Sequence, residues 1–397
     1  MGSGLDRLRV VDLTTTIAGP HCTRLLADLG AEVIKIESPE GDMMRSRPPM
    51  RDGASTSFGQ LNAGKVSAVI DLKRPAGLAA AKRLIATADV LVENFRPGVM
   101  QRFGLDHAVC RELKPDLIYC AISGYGQTGP SADLPAYAPV IHAASGYDLA
   151  HMAHQQVDRR PDYCGIYIAD VLSGTYAFGA IMAALYRRQQ SGAGELIDVS
   201  MLEAMLSLCL GEMQVAQFPM PPPGRPVFGP ITTKDGFINL SVASERTFRN
   251  LAAACGRPDW IDDKRFAAYA DRRANWGELI DEVEIWSKQR TRAEVQAEFD
   301  KAGVPASPYR TVKEAMADPQ LTHRQAFAEV RDGGGHFLAL NPPFRLSGTP
   351  AAAQPFVAAL GEHTAAVLTG LGYDDAAIAA LAADGIIVCA RPAPADA

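Results

Sequence analysis

One carboxylate lies inside a long run of apolar and small residues. The run GIYIADVLSGTYAFGAIMAALY covers residues 165–186, and Asp170 is its only charged side chain. An ionised carboxylate is costly in such a setting unless it is paired, hydrogen-bonded or used in chemistry. An Asp before an apolar helix commonly caps it, and the positive field of a helix start keeps the carboxylate ionised. A dry, ionised carboxylate is also a nucleophile toward acyl groups, so Asp170 is a candidate for both roles.

Other motifs that carry chemistry are missing from the sequence. The turn after the first expected strand reads DLTTTIAGPHC, which lacks the GxGxxG of a nicotinamide dinucleotide site. Neither GxxxxGK[ST] nor GxSxG occurs, which disfavours P-loop and α/β-hydrolase chemistry. The seven cysteines are scattered without a CxxC pair, so we expect buried free thiols and no metal site.

The composition is typical of a globular protein with two domains or one large domain. The chain has 397 residues, 47% hydrophobic and 21% charged, and a formal net charge of −6. That negative charge disfavours a nucleic-acid surface. The N-terminal MGSGLDRLRV lacks a signal-peptide core, and the most apolar run, 171–186, is shorter than a membrane span of ~20 residues. These features predict a cytoplasmic protein without a membrane partner.

Alternating strand and helix patterns must position Asp170. Strand patterns occur at 8–13, 32–37, 66–72, 89–95 and 116–126, with helical spacing at 20–31 and 76–88. Repeated β-α-β units with apolar strands predict an α/β fold, in which helices cover a parallel sheet. A loop-rich stretch at 124–165 precedes a long helix at about 171–190, a strand at 194–201 and a helix at 202–216.

A proline-rich segment, PMPPPGRPVFGP at 219–230, divides the chain. Beyond it, a strand pattern at 235–243 and helical patterns from 245 to about 330 predict a smaller α+β domain. A strand, a second proline-rich segment at 341–350 and two helices at 360–372 and 374–385 follow. We therefore expect a large domain in 1–220, a small domain in 221–335 and a return to the large domain in 336–397.

Seven stretches, taken together, resemble one known family. They are VVDLTTTIAGPHCTRLLADLGAEVIKIESPEGD, NAGKVSAVIDLKRPAG, ADVLVENFRPGVMQRFG, ISGYGQTGP, AD at 169–170, LSGTP and LGEHTAAVLTGLGY. In this order they are similar to the class III coenzyme A transferases of the CaiB/BaiF type, which include formyl-CoA:oxalate and carnitine CoA-transferases and the α-methylacyl-CoA racemases. The resemblance covers nearly the whole chain.

The resemblance implies a Rossmann-like large domain built from both chain ends, a smaller α+β domain between them, and two subunits interlocked as a homodimer. It also implies that Asp170 carries CoA from an acyl-CoA to a carboxylic acid through an aspartyl anhydride and an aspartyl-CoA thioester. Coenzyme A is then part of the substrate, and no prosthetic group is expected. Each carbonyl attack needs an oxyanion site, for which Gly124, Gly126 and Gly146 are candidates.

The resemblance also assigns contacts with CoA. Ile17 and Ala18 match the loop that lines the thiol end of CoA in the family. The other matching positions are Leu72, Lys73, Asn94, Phe95, Arg96, Arg102, Tyr137 and Ala138.

Some positions depart from the family pattern. Ser38 stands where relatives can carry an Arg that meets a phosphate, and Arg45 or Arg47 is expected to substitute for it. Ile17 replaces the Gln with which the formyl/oxalate enzyme holds a small acid, and the glycine-rich flap of that enzyme is missing at 224–236. The last two departures argue against oxalate or formate and favour a larger or less polar acyl group.

Two other activities stay open beside the transferase. A racemase needs two acid/base groups on opposite sides of the α-carbon, but Tyr137 and Ala138 stand where relatives carry a His. The nearest histidine, His142, fits a core position, and Glu245, where racemases keep a Glu, fits a first helical turn. A non-catalytic acyl-CoA-binding protein is the third interpretation, disfavoured because Asp170 is retained.

Overall fold

A computed structural model describes residues 4–155, 160–161, 164–218 and 229–390. Its strands, in chain order, are β1 (Arg9–Asp12), β2 (Glu32–Glu37), β3 (Met50–Arg51), β4 (Ala54–Ser55), β5 (Val66–Ile70), β6 (Val90–Glu93), β7 (Ile118–Ser123), β8 (Leu196–Ser200), β9 (Gly229–Thr233), β10 (Gly236–Leu240), β11 (Ala306–Pro308), β12 (Phe327–Asp332), β13 (Gly335–Leu340) and β14 (Ile387–Val388).

Helices connect most of these strands. They are α1 (Ala18–Asp28), α2 (Thr56–Asn62), α3 (Pro75–Ile85), α4 (Val99–Phe103), α5 (His107–Leu113), α6 (Ala138–Ala144), α7 (Tyr147–His154), α8 (Ile168–Ser191), α9 (Met201–Leu206), α10 (Leu210–Gln217), α11 (Glu245–Ala254), α12 (Tyr269–Ala274), α13 (Trp276–Ser287), α14 (Arg292–Ala302), α15 (Val312–Met316), α16 (Pro319–His323), α17 (Thr364–Gly370) and α18 (Asp375–Ala383). Short 3₁₀ turns lie at Met43–Ser46 and Pro258–Ile261.

The central sheet has the strand order β14-β5-β2-β1-β6-β7-β8. Its strands are parallel, except that β14 runs antiparallel to β5. The six parallel strands follow the order 3-2-1-4-5-6 of a doubly wound sheet, in which ligands bind at the carboxyl ends where the order reverses. That reversal lies between β1 and β6. The predicted α/β class with a mainly parallel sheet is confirmed.

Apolar side chains cover both faces of this sheet. On one face, α1, α6 and α8 contribute Leu26, Ile141 and Ile181 to a buried cluster. On the other face, α3, α17 and α18 contribute side chains such as Leu84 and Leu368. The two clusters hold the strands rigidly, so the loops at their carboxyl ends project from a fixed frame.

The chain forms two compact units. The first unit comprises Met1–Leu149, Asp162–Leu210 and Gln320–Ala397, and it contains the central sheet. The second unit comprises Ala150–Pro161 and Gly211–Pro319. It pairs β9, β10 and β11 antiparallel beside α11 to α14, around buried Phe248, Trp260 and Phe299.

Several local expectations need correction or fall outside the described residues. The stretch at 124–165 contains α6 and α7, and the helix expected at 202–216 is broken between α9 and α10. The proline-rich segment at 219–230 lies almost wholly outside the described residues. The segment at 341–350 lies within the first unit, which resumes at Gln320.

The apolar run that contains Asp170 forms a longer helix than expected. α8 has 24 residues and begins at Ile168, so it is not too short for a membrane span. Among the described residues, α8 is the only helix that is long and apolar enough to cross a membrane. Core helices of globular proteins can have the same length and apolarity. Small buried residues, such as Ala169, Ser173 and Ala177, line its inner face.

The cysteines are free, as expected, but they are not all buried. Cys22, Cys110, Cys120, Cys209 and Cys255 are buried. Cys164 is half-buried and Cys389 is exposed.

Candidate active site

A cavity of about 330 Å³ lies at the carboxyl ends of β1, β6 and β7. The first turns of α1, α6 and α8 complete its wall. We call it the first cavity. Most of the residues predicted for the site line it together: Ile17, Ala18, Asn94, Phe95, Arg96, Tyr137, Ala138 and Asp170.

Asp170 occupies the first turn of α8 but does not cap it. The N-cap residue is Tyr167, and no side chain caps the helix from that position. The expectation of an Asp170 cap is therefore wrong. Asp170 still lies within the positive field of the helix start.

Burial dominates the protonation of Asp170. It raises the pKa of this carboxyl from 3.8 to about 6. The helix start was expected to favour the ionised form of Asp170. Desolvation by burial is the stronger effect, so the pKa rises. The group is nonetheless mostly ionised at neutral pH, because neutral pH lies above its raised pKa.

His142 supports the helix start instead. Its Nε2 accepts a hydrogen bond from Ala169 N at 3.2 Å, and its side chain is buried on α6. Burial lowers the pKa of this imidazole, so the ring is neutral and Nε2 keeps its lone pair for the bond. The sequence indicated a core histidine but gave no sign of this contact, since nothing in the local pattern links α6 to α8.

The loop at residues 14–17 brings Ile17 and Ala18 to the first cavity. Asn94 holds this loop from the end of β6, accepting from Thr15 N and donating to Thr15 O, both at 2.8 Å. Asn94 thus lies in the cavity wall and also fixes the loop beside it. Thr16 has a φ of 69°, in the left-handed region.

A second cavity of about 210 Å³ adjoins the same loop. Leu72 and Lys73 line it, together with Phe103. Thr15 and Phe95 belong to the walls of both cavities, so the two spaces adjoin at these residues. The predicted residues thus form two groups at one edge of the sheet.

Two arginines behave differently from the expectation. Arg45 is bound to Glu37 by two hydrogen bonds of 2.7 Å and lies over the Phe58 ring at 4.0 Å. It is therefore committed within the protein and does not replace the missing Arg at Ser38. Arg102 is exposed on α4 and lies outside the walls of both cavities.

Of the three glycines considered for an oxyanion site, one lies in the first cavity. Gly124 follows β7 in its wall, where a methyl group would overlap the side chain of Ala136. Gly126 and Gly146 have positive φ but do not line this cavity. No cluster of three or more His, Cys, Asp or Glu side chains suited to a metal ion occurs among the described residues.

Comparison with known proteins identifies the family. The family model for CoA-transferase family III matches residues 5–364. The chain belongs to this family. The earlier resemblance to class III coenzyme A transferases is thereby confirmed, and the chain is a family III CoA-transferase by sequence.

Curated relatives are similar along almost their full length. The succinate–glutarate CoA-transferase of Agrobacterium fabrum is 34% identical, covering 92% of this chain and 95% of its own. The succinyl-CoA–D-citramalate CoA-transferase of Chloroflexus aurantiacus is 35% identical, covering 94% and 96%. A formyl-CoA:oxalate CoA-transferase of Streptomyces avermitilis is 30% identical over 98% of this chain and 100% of its own.

Solved structures share the fold. A CAIB/BAIF family protein from Brucella suis superposes with a TM-score of 0.81 at 32% identity, covering 94% of this chain and 100% of that one. The Rv3272 protein of Mycobacterium tuberculosis gives a TM-score of 0.81 at 30% identity, covering 92% and 98%.

Proposed function

We propose that this chain transfers coenzyme A from an acyl-CoA to a carboxylic acid, with Asp170 as the nucleophile. The proposal rests on the observation that the predicted catalytic residue and several predicted CoA contacts line the same cavity, the first cavity. A half-buried carboxylate, ionised at neutral pH, shares that cavity with Ile17, Ala18 and Asn94. Membership of CoA-transferase family III supplies the chemistry that such a carboxylate would perform.

The two cavities suit the two ends of coenzyme A. The adenosine end would occupy the second cavity, where Lys73 offers a charge to phosphate and Leu72 an apolar surface. The thin pantetheine arm would pass Thr15 and Phe95, which both cavities share. Its thioester would then enter the first cavity, where Asp170 lies. Arg96 is an exposed residue in the wall of the first cavity, and Arg102 remains a candidate for an outer phosphate.

The proposed reaction conserves the thioester through four carbonyl attacks. The Asp170 carboxylate attacks the acyl-CoA carbonyl, the carbon–sulfur bond breaks, and a mixed anhydride and CoA thiolate form. The thiolate attacks the aspartyl carbonyl and releases the donor carboxylate, leaving an aspartyl-CoA thioester. The acceptor carboxylate attacks this thioester to give a new anhydride and thiolate. The thiolate finally attacks the acceptor acyl carbon, which restores the Asp170 carboxylate without net proton uptake.

The apolar wall protects these intermediates. Ile17, Ala138 and Met201 are buried residues that border the space reached by Asp170. Excluding water keeps an anhydride from hydrolysis and strengthens any hydrogen bond to a developing oxyanion. The main chain beside Gly124 is the candidate for that donor within this cavity.

Short aliphatic acids are the proposed substrates. Relatives are named for succinate, glutarate and D-citramalate, so succinyl-CoA is the proposed donor and a dicarboxylic acid the proposed acceptor. Ile17 in the cavity wall supplies no hydrogen bond to a carboxylate held against it, which argues against oxalate and favours a longer dicarboxylic acid, whose second carboxylate lies farther from the reacting one. The enzyme is proposed to act as a homodimer in the cytoplasm, without a prosthetic group.

The Asp170→Asn variant tests the proposal. Asn preserves side-chain size but is a far weaker nucleophile, so transfer of labelled CoA between two acids should fall at least about a thousandfold. The affinity for CoA, measured by calorimetry, should change little. Hydroxylamine should trap a modified Asp170 in the wild type only. Asp375→Asn, at a first-turn Asp of α18, is the matched control and should retain full activity.

The same variant separates the other interpretations. An acyl-CoA-binding protein would keep its function in Asp170→Asn. A racemase would incorporate solvent deuterium at the α-carbon without moving CoA between acids. His142 does not favour the racemase, because its Nε2 accepts from Ala169 N and the ring does not line the first cavity.

A further inference from the structure

The loop at residues 14–17 has a backbone conformation that must be held in place. Thr16 is β-branched, and its φ of 69° lies where such residues are seldom found. A residue of this kind keeps its conformation only when surrounding contacts over-determine it. Asn94 supplies two such contacts at Thr15. Asp12 accepts from Thr14 N at 2.8 Å, and further contacts come from a buried ion pair.

Lys35 and Asp42 hold the loop on either side of Thr15. Lys35 Nζ, from β2, donates to Thr14 O at 2.7 Å. The Asp42 carboxylate accepts from Thr16 N, its nearer oxygen at 3.3 Å. Lys35 and Asp42 also pair with each other at 3.1 Å. One ion pair therefore fixes two neighbouring parts of the loop main chain.

The pair is enclosed by the protein. The side chains of Lys35 and Asp42 are 2% and 0% exposed. Burial alone would lower the pKa of the Lys35 ammonium, but Asp12, Asp42 and Glu37 outweigh it and raise that pKa. The Lys35 ammonium is therefore charged across the physiological range. A buried ion pair is weak support for stability alone, since apolar residues of equal size often serve as well.

The position of the pair suggests a different purpose. Lys35 and Asp42 belong to the wall of the second cavity, and the loop that they hold belongs to the wall of the first. The pair thus connects the space proposed for the adenosine end of CoA with the space proposed for its thioester end.

We propose that Lys35 and Asp42 are positioning residues, which set the 14–17 loop so that Ile17 and Ala18 align the thioester with Asp170. The inference rests on the proposed function for its substrate. Neither residue reacts; each acts through the loop main chain. Because misplacement by an ångström can cost about a hundredfold in rate, the pair should influence turnover more than fold stability.

The Lys35→Met/Asp42→Asn variant tests this role. It removes both charges of the pair together, and one amide oxygen in the place of Asp42 Oδ1 still accepts from Thr16 N and Met44 N. We expect kcat/KM for acyl-CoA to fall about 10- to 100-fold. Amide exchange in residues 13–18, followed by mass spectrometry, should accelerate about tenfold or more. Because Lys35 and Asp42 also line the second cavity, kcat at saturating acyl-CoA should fall as well, which a change in adenosine affinity alone would not cause.

Arg24→Met/Asp28→Asn is the matched control. These residues form a buried pair on α1 at 2.6 Å and make no hydrogen bond to residues 14–17. This control should leave exchange at 13–18 unchanged. If the test variant does not fold, Lys35→Gln/Asp42→Asn, which also removes both charges but keeps polar side chains, gives the same comparison with a smaller effect.

Unchanged exchange at 13–18 in the folded test variant would overturn the inference, and so would faster exchange with unaltered kcat/KM. Retained activity in Asp170→Asn would instead overturn the proposed function. The exchange measurement needs no turnover, so the two failures can be told apart.

Discussion

At the scale of single residues, two opposing effects act on the Asp170 carboxylate. The start of α8 favours its charge, while removal from water disfavours it. Desolvation is the stronger effect, since the pKa rises from 3.8 to about 6. A carboxylate that is poorly solvated but still ionised is more reactive than one held by strong hydrogen bonds. The raised pKa therefore belongs to the proposed chemistry.

This pKa predicts how activity depends on pH. Only the ionised form of Asp170 can attack, so kcat/KM should increase about tenfold from pH 4.5 to 5.5 and level off above about pH 7. His21 does not account for an inflection near 6, because burial lowers its pKa to about 4, and His142 does not line the first cavity. The measurement is single-turnover formation of the aspartyl adduct, with CoA affinity recorded at each pH to correct for titration of the substrate.

The pH dependence of thermal unfolding provides a second test of the raised Asp170 pKa. The folded state binds the Asp170 proton more tightly than the unfolded chain, so ionisation weakens the fold as pH rises from about 4 to 6. The Asp170→Asn variant cannot ionise at position 170 and should lack this dependence of stability on pH.

For the rate measurement, a profile that is flat between about pH 4.5 and 7 would contradict the assignment of Asp170 as the nucleophile.

Among single residues, the sequence indicated those that face the cavity better than those that support it. Ile17, Asn94 and Asp170 belong to stretches that match a family, and the first cavity contains them all. Lys35 and His142 gave weaker signals: a charge within the apolar strand EVIKIE and a histidine in an apolar helix. Their partners lie in other elements or loops, Thr14 and Asp42 for Lys35 and Ala169 for His142, and such contacts cannot be read from local spacing.

At the scale of elements, the close approach of α1 and α8 places the loop beside Asp170. Gly174, one turn beyond Asp170, allows this approach, because a methyl group there would overlap the Ala18 carbonyl oxygen and lie 3.2 Å from the His21 ring. Ala18 begins α1 and lines the first cavity. The spacing of the two helices therefore sets the position of the cavity wall.

The Gly174→Ala variant should push these helices apart. Overlap with a carbonyl in a packed interface costs about 1–3 kcal/mol, which exceeds the gain of about 1 kcal/mol in helix propensity. Thermal unfolding should begin at lower temperature, and kcat/KM should fall because Ala18 moves.

Gly179→Ala provides the control within the same helix. Nothing lies within 4 Å of a methyl group at Gly179. This change should therefore be neutral or raise stability by up to about 1 kcal/mol, with normal kcat/KM. Equal behaviour of the two variants would show that the Gly174 contact does not matter.

Element types were more predictable than element limits. The β-α-β order follows from apolar periodicity, and each parallel strand of the sheet lies within its expected segment. The ends of the helices were harder to predict: α9 ends at Leu206 within the mainly apolar run MLSLCL, and α6 and α7 form in a segment expected to be a loop. Tertiary packing decided these cases, and local propensity did not.

At the scale of the whole molecule, the strand order explains why distant residues share one site. The order reverses between β1 and β6, and the loops after these strands carry Ile17 and Asn94 to the same edge. The C-terminal strand β14 completes the sheet by pairing with β5, so the last part of the chain belongs to the same sheet as the first. The domain limits expected from the proline-rich segments stay a prediction.

An interlocked homodimer, which the family resemblance implies, leads to a distinctive prediction about assembly. Two closed chains that pass through each other cannot separate without unfolding, whereas subunits joined only at their surfaces dissociate on dilution. Apolar side chains such as Tyr186 on α8 and Leu210 on α10 are 67% and 69% exposed, so each chain has apolar surface available for a partner.

Light scattering should give a mass of twice the 42.4 kDa of one chain, down to nanomolar concentration. When tagged and untagged dimers are mixed, mixed dimers should form only after denaturation and refolding. A monomer, or exchange of subunits under native conditions, would exclude interlocking while leaving the proposed chemistry at Asp170 to its own test.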